Sequence, residues 1–329
     1  MANNKYNLSK EYQFDITITD NTYAGRLALP FVSAAVKSPD TIAKGYVRTI
    51  DGLNRKAVIN NLGISDPIQA AACGFSTTDA PANLALTEQV LTLTDMKVNQ
   101  EVCRGKIFPT WIGENMDRNG NLPSTFENFL LSTVAAKAGA HIENMIWKGS
   151  GDPALVGFQS NDGSLDDTGI EASAMKDFHE VDLDGAITTT DILDDLAAVY
   201  NKVVSSVEGI LSKPGFGFYM NQKTYALYAQ KLASATTFQQ LGAAGEFSGL
   251  TYMGFPIYVC PGMFNDTIVA TYPENLVVGT NLATDWTEAR IIPTYQFDGS
   301  DNVRIVMNFA MGVQTAVGTD GVYATSAHA

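Results

Sequence analysis

Histidine and cysteine are scarce in this chain, three of each among 329 residues. His141, His179 and His328 are too few and too scattered to build a histidine-rich metal site. Cys73, Cys103 and Cys260 are odd in number and lack any paired spacing, which excludes a disulfide framework or a zinc site. They read instead as small buried apolar residues. Positive charge is also short: 21 Lys and Arg stand against 35 Asp and Glu, a net charge of -14. That excludes a protein that grips nucleic acid by neutralising its phosphates, although it leaves enclosure of DNA open. No apolar run approaches the roughly 18 residues of a membrane span, so no membrane partner is expected. The N-terminal Met1-Ala2-Asn3-Asn4-Lys5-Tyr6-Asn7 lacks the apolar stretch of a signal peptide, and synthesis in the cytosol is expected.

Catalytic signatures are missing too. The sequence has neither a Gly-x-Ser-x-Gly elbow nor a Walker loop. Gly149-Ser150-Gly151 followed by Ala154 imitates a dinucleotide fingerprint, but it closes a helix where the fingerprint would link a strand to one. No catalytic, cofactor-binding or metal-ligating residue is therefore assigned, no cofactor is expected, and the chain reads as a non-enzyme. One stretch comes near a metal motif. Glu180-Val181-Asp182-Leu183-Asp184-Gly185 through Asp191 sets acidic residues at the first, third, fifth and twelfth places of a calcium loop, with glycine at the sixth. Glu180 stands where Asp is usual and Asp191 where a bidentate Glu is required. Asp191 has a simpler role opening the next helix, so the structural reading is preferred.

What the sequence does contain is patterned apolar residues. Hydrophobic residues make up 45% and charged ones 17% of the chain, a globular balance. The length fits one large domain or two to three medium ones. From Ser124 to Lys148 the residues Phe126, Leu130, Val134, Ala138, Ile142 and Met145 recur at helical spacing, with Glu127, Asn128, Lys137, His141 and Asn144 off that stripe. Ser124 with Glu127 forms a capping box. Gly149, Gly151 and Pro153 then end the helix before the apolar Ala154-Leu155-Val156-Gly157-Phe158. Such a helix would run roughly 37 Å.

The remaining segments differ in kind. Residues 1–44 mix polar clusters with short apolar patches and read as an extended arm. Gly45 to Ala85 carries Gly52, Gly63, Pro67, Gly74 and Pro81 without sustained period, as expected of a functional loop or two-stranded protrusion. Val90, Met96, Val98 and Val102 are expected on one face of a strand, opposite Lys97, Asn99 and Glu101. Ser160 to Asp184 reads as a polar loop or hairpin. A helix with Ile192, Leu196, Tyr200, Val203, Val207 and Ile210 buried follows, then a strand at Phe216–Met220 and a helix capped by Asn221. Short strands are expected at Phe255–Cys260, Thr267–Thr271 and Asn275–Gly279. Finally, Arg290–Phe297 and Asn302–Val317 form a hairpin through Asp298-Gly299-Ser300-Asp301. Its second strand places Val303, Ile305, Met307, Phe309, Met311 and Val313 on one side and Arg304, Asn308 and Gln314 on the other.

This order of strand, long helix, small-residue break and late long hairpin resembles the major capsid proteins of tailed bacteriophages, the Hong Kong ninety-seven fold. The resemblance is carried by Val90–Arg104, Ser124–Lys148 and Gly149–Phe158, and extends in organisation almost to the C-terminus. It implies an α+β subunit with an N-terminal arm (1–44), an extended loop (45–85), a peripheral domain (86–184) holding the spine helix at 124–148, an inserted axial domain (185–285) and a return to the peripheral domain (286–329). It implies self-assembly through pentamers and hexamers into an icosahedral head around double-stranded DNA, without specific DNA binding. Scaffolding, portal and decoration proteins are the implied partners, and the virion, assembled in the host bacterial cytoplasm, the implied location. Some members weld subunits through a loop lysine and a neighbour's asparagine. Lys56 lies in the corresponding loop, but no asparagine matches the partner position. An encapsulin-type nanocompartment shell shares the fold and is the alternative; a calcium-dependent binding module built on Glu180–Asp191 is a further one.

Overall fold

The computed structural model describes residues 21–24, 39–64, 84–103, 126–151, 154–160, 173–207, 209–234, 250–281, 288–294, 297, 299–300 and 302–326. Its first half contains β1 (Asn21–Ala24), the short helix α1 (Asp40–Ala43), β2 (Arg48–Ile50), β3 (Lys56–Ile64), β4 (Leu84–Thr92) and β5 (Thr94–Cys103). The long helix α2 (Phe126–Lys148) follows, then β6 (Ser150–Gly151) and β7 (Ala154–Leu155). Next come β8 (His179–Asp182), α3 (Ile192–Ser206), β9 (Gly217–Met220) and α4 (Gln222–Ser234). The strands β10 (Thr251–Tyr252), β11 (Phe255–Val259), β12 (Thr267–Thr271), β13 (Leu276–Thr280), β14 (Glu288–Pro293), β15 (Asn302–Thr315) and β16 (Val322–Thr325) complete the chain.

The period-two pattern of the last long strand organises the first sheet. Val303, Ile305, Met307, Phe309, Met311 and Val313 are all buried, whereas Arg304 is exposed and Asn308 and Gln314 are half-buried. Alternate side chains of a strand face opposite ways, so this one pattern fixes which side of β15 meets the core. β15 pairs antiparallel with β5 along ten register positions, and with β14 and β13 on its other flank. β1 extends the sheet beyond β14, and β2 runs parallel to β13. The hairpin expected between β14 and β15 is present, with Thr294 N–H donating to the Asn302 carbonyl at 3.0 Å where the strands part.

Helix α2 lies on the core face of this sheet. Ile142 and Met145 are buried, and Val134 and Ala138 pack half-buried against the same cluster. Lys137, His141 and Asn144 face solvent. The side chains of Phe126 and Leu130, and Ser124 of the expected capping box, lie outside the described residues. The helix end explains its glycines. Gly149 takes the left-handed conformation at φ 66° and its N–H bonds the Met145 carbonyl. The chain then folds back so that the Phe158 and Gln159 N–H groups donate to the Ile146 and Trp147 carbonyls at 2.9 and 2.8 Å. These are acceptors that a helix end leaves open. A Cβ at Gly157 would strike Gly149 N and the Trp147 and Ser160 carbonyl oxygens, so this reversal needs glycine.

The second sheet runs β10-β11-β9-β12-β16-β8. Its core takes Ile192, Leu196 and Val203 of α3 together with Phe216, Phe218 and Met220. The stripe expected on α3 is buried, except that Tyr200 is half-buried and Ile210 sits in a separate turn behind Gly209. Asn221 caps α4 by accepting the Lys223 N–H at 3.0 Å.

Several sequence expectations need correction. The strand expected from Val90 to Arg104 breaks at Leu93, and Val90 belongs to β4, where it is exposed. The polar stretch before Asp184 contains β8, which pairs parallel with β16. Strand pairing links distant segments: β13 joins the first sheet, and β16 joins the second. Cys260 is buried as expected, Cys103 only half-buried, and Cys73 lies outside the described residues.

Candidate assembly surface

β3 and β4 form a separate two-stranded ribbon, paired antiparallel over nine positions from Lys56↔Thr92 to Ile64↔Leu84. The pairs Val58↔Val90 and Leu62↔Leu86 share one face, because residues directly opposite in an antiparallel pair project together and the faces repeat every second residue. These four side chains are 54%, 47%, 52% and 58% exposed. Between them sits the exposed pair Asn60↔Glu88. Apolar side chains gathered on one face of a ribbon normally mark a buried face, and here those four meet solvent in the single chain. An isolated two-stranded ribbon is marginal in water, so covering this face on another surface would stabilise it.

The ribbon is fixed at its root. Leu91 is fully buried, and the Leu53 N–H donates to the Thr280 carbonyl at 3.0 Å. Leu93 N–H bonds the Arg55 carbonyl, and Thr280 Oγ1 donates to Asp51 at 2.8 Å. Gln314 of β15 donates to Gln89 of β4 at 3.0 Å. Beside the root, Gln89, Val90, Thr92, Val156, Lys176 and Gln314 help to line a half-open cavity of about 220 Å³.

A second joint lies in the last turns of α2. Glu143 is buried, yet its carboxylate accepts from the Thr41 N–H at 3.1 Å, the Thr41 hydroxyl and the Gly262 N–H at 3.4 Å. Trp147 Nε1 donates to Thr41 Oγ1 at 2.9 Å. A buried carboxylate is tolerable when donors surround it in this way. The group thus ties α1, α2 and the turn after β11 into one body. Nothing in the helical stripe marks Glu143 as buried, since its donors lie 102 and 119 residues away. Nearby Cys260 is fully buried, and burial pushes its thiol well above the usual range.

The acidic segment does not close into a loop. Glu180 and Asp182 lie in the extended strand β8, and Asp191 accepts from Thr188 Oγ1 at 2.6 Å beside the start of α3. In the extended strand Glu180 and Asp182 stand two residues apart along one exposed face, whereas a calcium loop curls its ligands round one point. Among the described residues no group of three or more His, Cys, Asp or Glu could hold a metal ion.

Asp195 in the first turn of α3 is pushed up to about 6, first by burial and then by Asp191, Asp194 and Asp184. Its folded value lies above the ordinary 3.8, so the folded state holds an extra proton between the two, and stability falls as pH rises through that window. Asp195→Asn should therefore raise Tm relative to the parent near pH ~7.5 and raise it much less near pH ~4.5. Thermal melts at the two pH values check this, and an equal gain at both would exclude charge as the cause.

No protein-family model matches the sequence, and no curated protein is detectably similar to it. Its backbone does resemble solved structures. A chain of Gordonia phage Cozz superimposes with a TM-score of 0.56 at 13% identity, over 87% of this chain and 86% of that one. A chain of the satellite phage P4 procapsid, solved with its size determination protein, gives 0.53 at 12% identity, over 90% and 98%. The capsid of Myoviridae phage XM1 gives 0.53 at 9% identity, over 87% and 91%. The chain therefore carries the fold of phage capsid subunits, a mixed architecture of few helices and several sheets. No helix among the described residues is long and apolar enough to cross a membrane.

Proposed function

We propose that this chain is a structural, self-assembling shell subunit: the major capsid protein of a tailed bacteriophage, forming an icosahedral head around double-stranded DNA. The observation that carries the reading is the ribbon face of Val58, Leu62, Leu86 and Val90, apolar and exposed in a chain with the capsid-subunit fold. In this reading β3–β4 is the extended loop, α2 is the spine, and the first sheet with α2 forms the peripheral domain. The second sheet with α3 and α4 is the axial domain, and residues 1–44 are the arm.

Function is then assembly, not catalysis. Copies of the chain bury each other's ribbon faces, and α2 on the first sheet supplies a plate stiff enough to hold pentamers and hexamers in one curvature. The net charge of -14 suits a wall that encloses DNA without adhering to it. Scaffolding, portal and decoration proteins are the partners such a shell would meet, in the host cytoplasm and then in the virion. Sedimentation velocity of the purified full chain tests the reading, with scaffolding supplied from the same source if needed. A sharp boundary from a species of many copies is expected. A monomer at every concentration would overturn it.

A further inference from the structure

Gly279 of β13 and Gly312 of β15 stand directly opposite each other in the first sheet. Neither has a positive φ, so backbone conformation does not call for glycine at either place. Space does. A Cβ on Gly312 would strike the carbonyl oxygen of Thr92 and lie 3.0 Å from its carbonyl carbon and 3.3 Å from Leu93 Cα. A Cβ on Gly279 would lie 2.6 Å from Leu91 Cδ2, 2.9 Å from Leu53 Cδ1 and 3.3 Å from Leu93 Cδ2. The residues that would be struck are those where the chain enters and leaves the β3–β4 ribbon. Glycine in a strand interior costs stability, and close approach of another backbone is one reason to keep it there.

We propose that the Gly279–Gly312 pair is a notch that seats the ribbon root and sets the angle at which the ribbon leaves the sheet, making both glycines positioning residues for assembly. This rests on the shell reading only for its consequence; the notch itself is a property of one subunit. The ribbon spans nine residues per strand, roughly 30 Å at strand rise, so a small lift at the root becomes a large displacement along it. The two glycines act differently. Gly312 faces backbone, which can make room only by moving the strand itself, whereas Gly279 faces leucine side chains that can be trimmed.

The test places spin labels at Asn60→Cys on the ribbon and Lys137→Cys on α2, with Cys73 and Cys103 replaced by serine. Labelled chain is diluted into unlabelled chain, and pulsed dipolar spectroscopy reads the distance. Gly312→Ala should move that distance by about 3 Å or more, since Asn60 stands four residues, roughly 13 Å, out from the root. Gly279→Ala should move it less, and Leu53→Val with Leu91→Val added to Gly279→Ala should restore it. Gly151→Ala is the control, because a Cβ there meets nothing within 4 Å. Should Gly312→Ala fail to fold, Gly279→Ala with and without the two leucine changes decides alone. An unchanged distance in the folded glycine variants, or no restoration by the two leucine changes, would overturn the notch. A displaced ribbon that still gives normal particles would leave the notch standing and count against the ribbon as the intersubunit contact.

Discussion

Leu62→Asp combined with Leu86→Asp is expected to leave a folded, soluble subunit that no longer forms shells. The two leucines face each other across the ribbon and are 52% and 58% exposed, so new carboxylates there remain hydrated in the single chain. Exposed substitutions usually change stability by less than about 0.5 kcal/mol each, and the repulsion between these two opposed carboxylates is confined to the ribbon, outside the cores. In an assembly that buries the face, each unpaired carboxylate must be desolvated, at a cost of a few kcal/mol or more per copy. A closed shell repeats that cost at every subunit, so the effect on assembly should be close to complete. Circular dichroism melts should match the parent, while light scattering should lose the large species. Shells of parental size and yield would mean that this face is not an assembly contact.

Ile142→Asp should do the reverse and damage the subunit itself. Ile142 is 2% exposed in the cluster that joins α2 to β15 and β5. Removing a buried Ile side chain costs about 2–5 kcal/mol, and the carboxylate left there has no partner, which adds to the loss. For a chain of ordinary marginal stability that is enough to unfold much of the population. Lys137→Ala, five residues earlier on the exposed face, should be near neutral. Equal losses at the two positions in thermal melts would show that the face of α2 is misassigned.

The parts of this fold that announce themselves in the sequence are those whose periodicity comes from a single element. β15 alternates apolar and polar residues because one face is buried along its length, and α2 and α3 repeat every three to four residues for the same reason. The break after Lys148 is also readable, since Gly149 and Gly157 answer a local need to end a helix and return along it. What stays hidden depends on distant partners. Val90 looks like a continuation of the Met96–Val98–Val102 face, yet the chain turns at Leu93 and Val90 stands in the ribbon. Glu143 looks like any solvated helix residue, and its burial becomes tolerable only through Thr41 and Gly262. β16 carries no mark of the sheet it enters; its pairing with β8 and β12 is decided by the whole topology. The ribbon face itself was within reach of the sequence. Val58 with Leu62, and Leu86 with Val90, fall on one face of a strand, but Asn60 and Glu88 interrupt them and the glycines and prolines between Gly45 and Ala85 mask the strand.

The measurement that bears most directly on the whole reading is an electron micrograph of the purified full chain in negative stain, prepared with scaffolding from its source. Closed, angular shells of uniform diameter are predicted, and the Leu62→Asp, Leu86→Asp variant should show none under the same conditions. A field of small single subunits from the parent chain, at every concentration tried, would contradict the account.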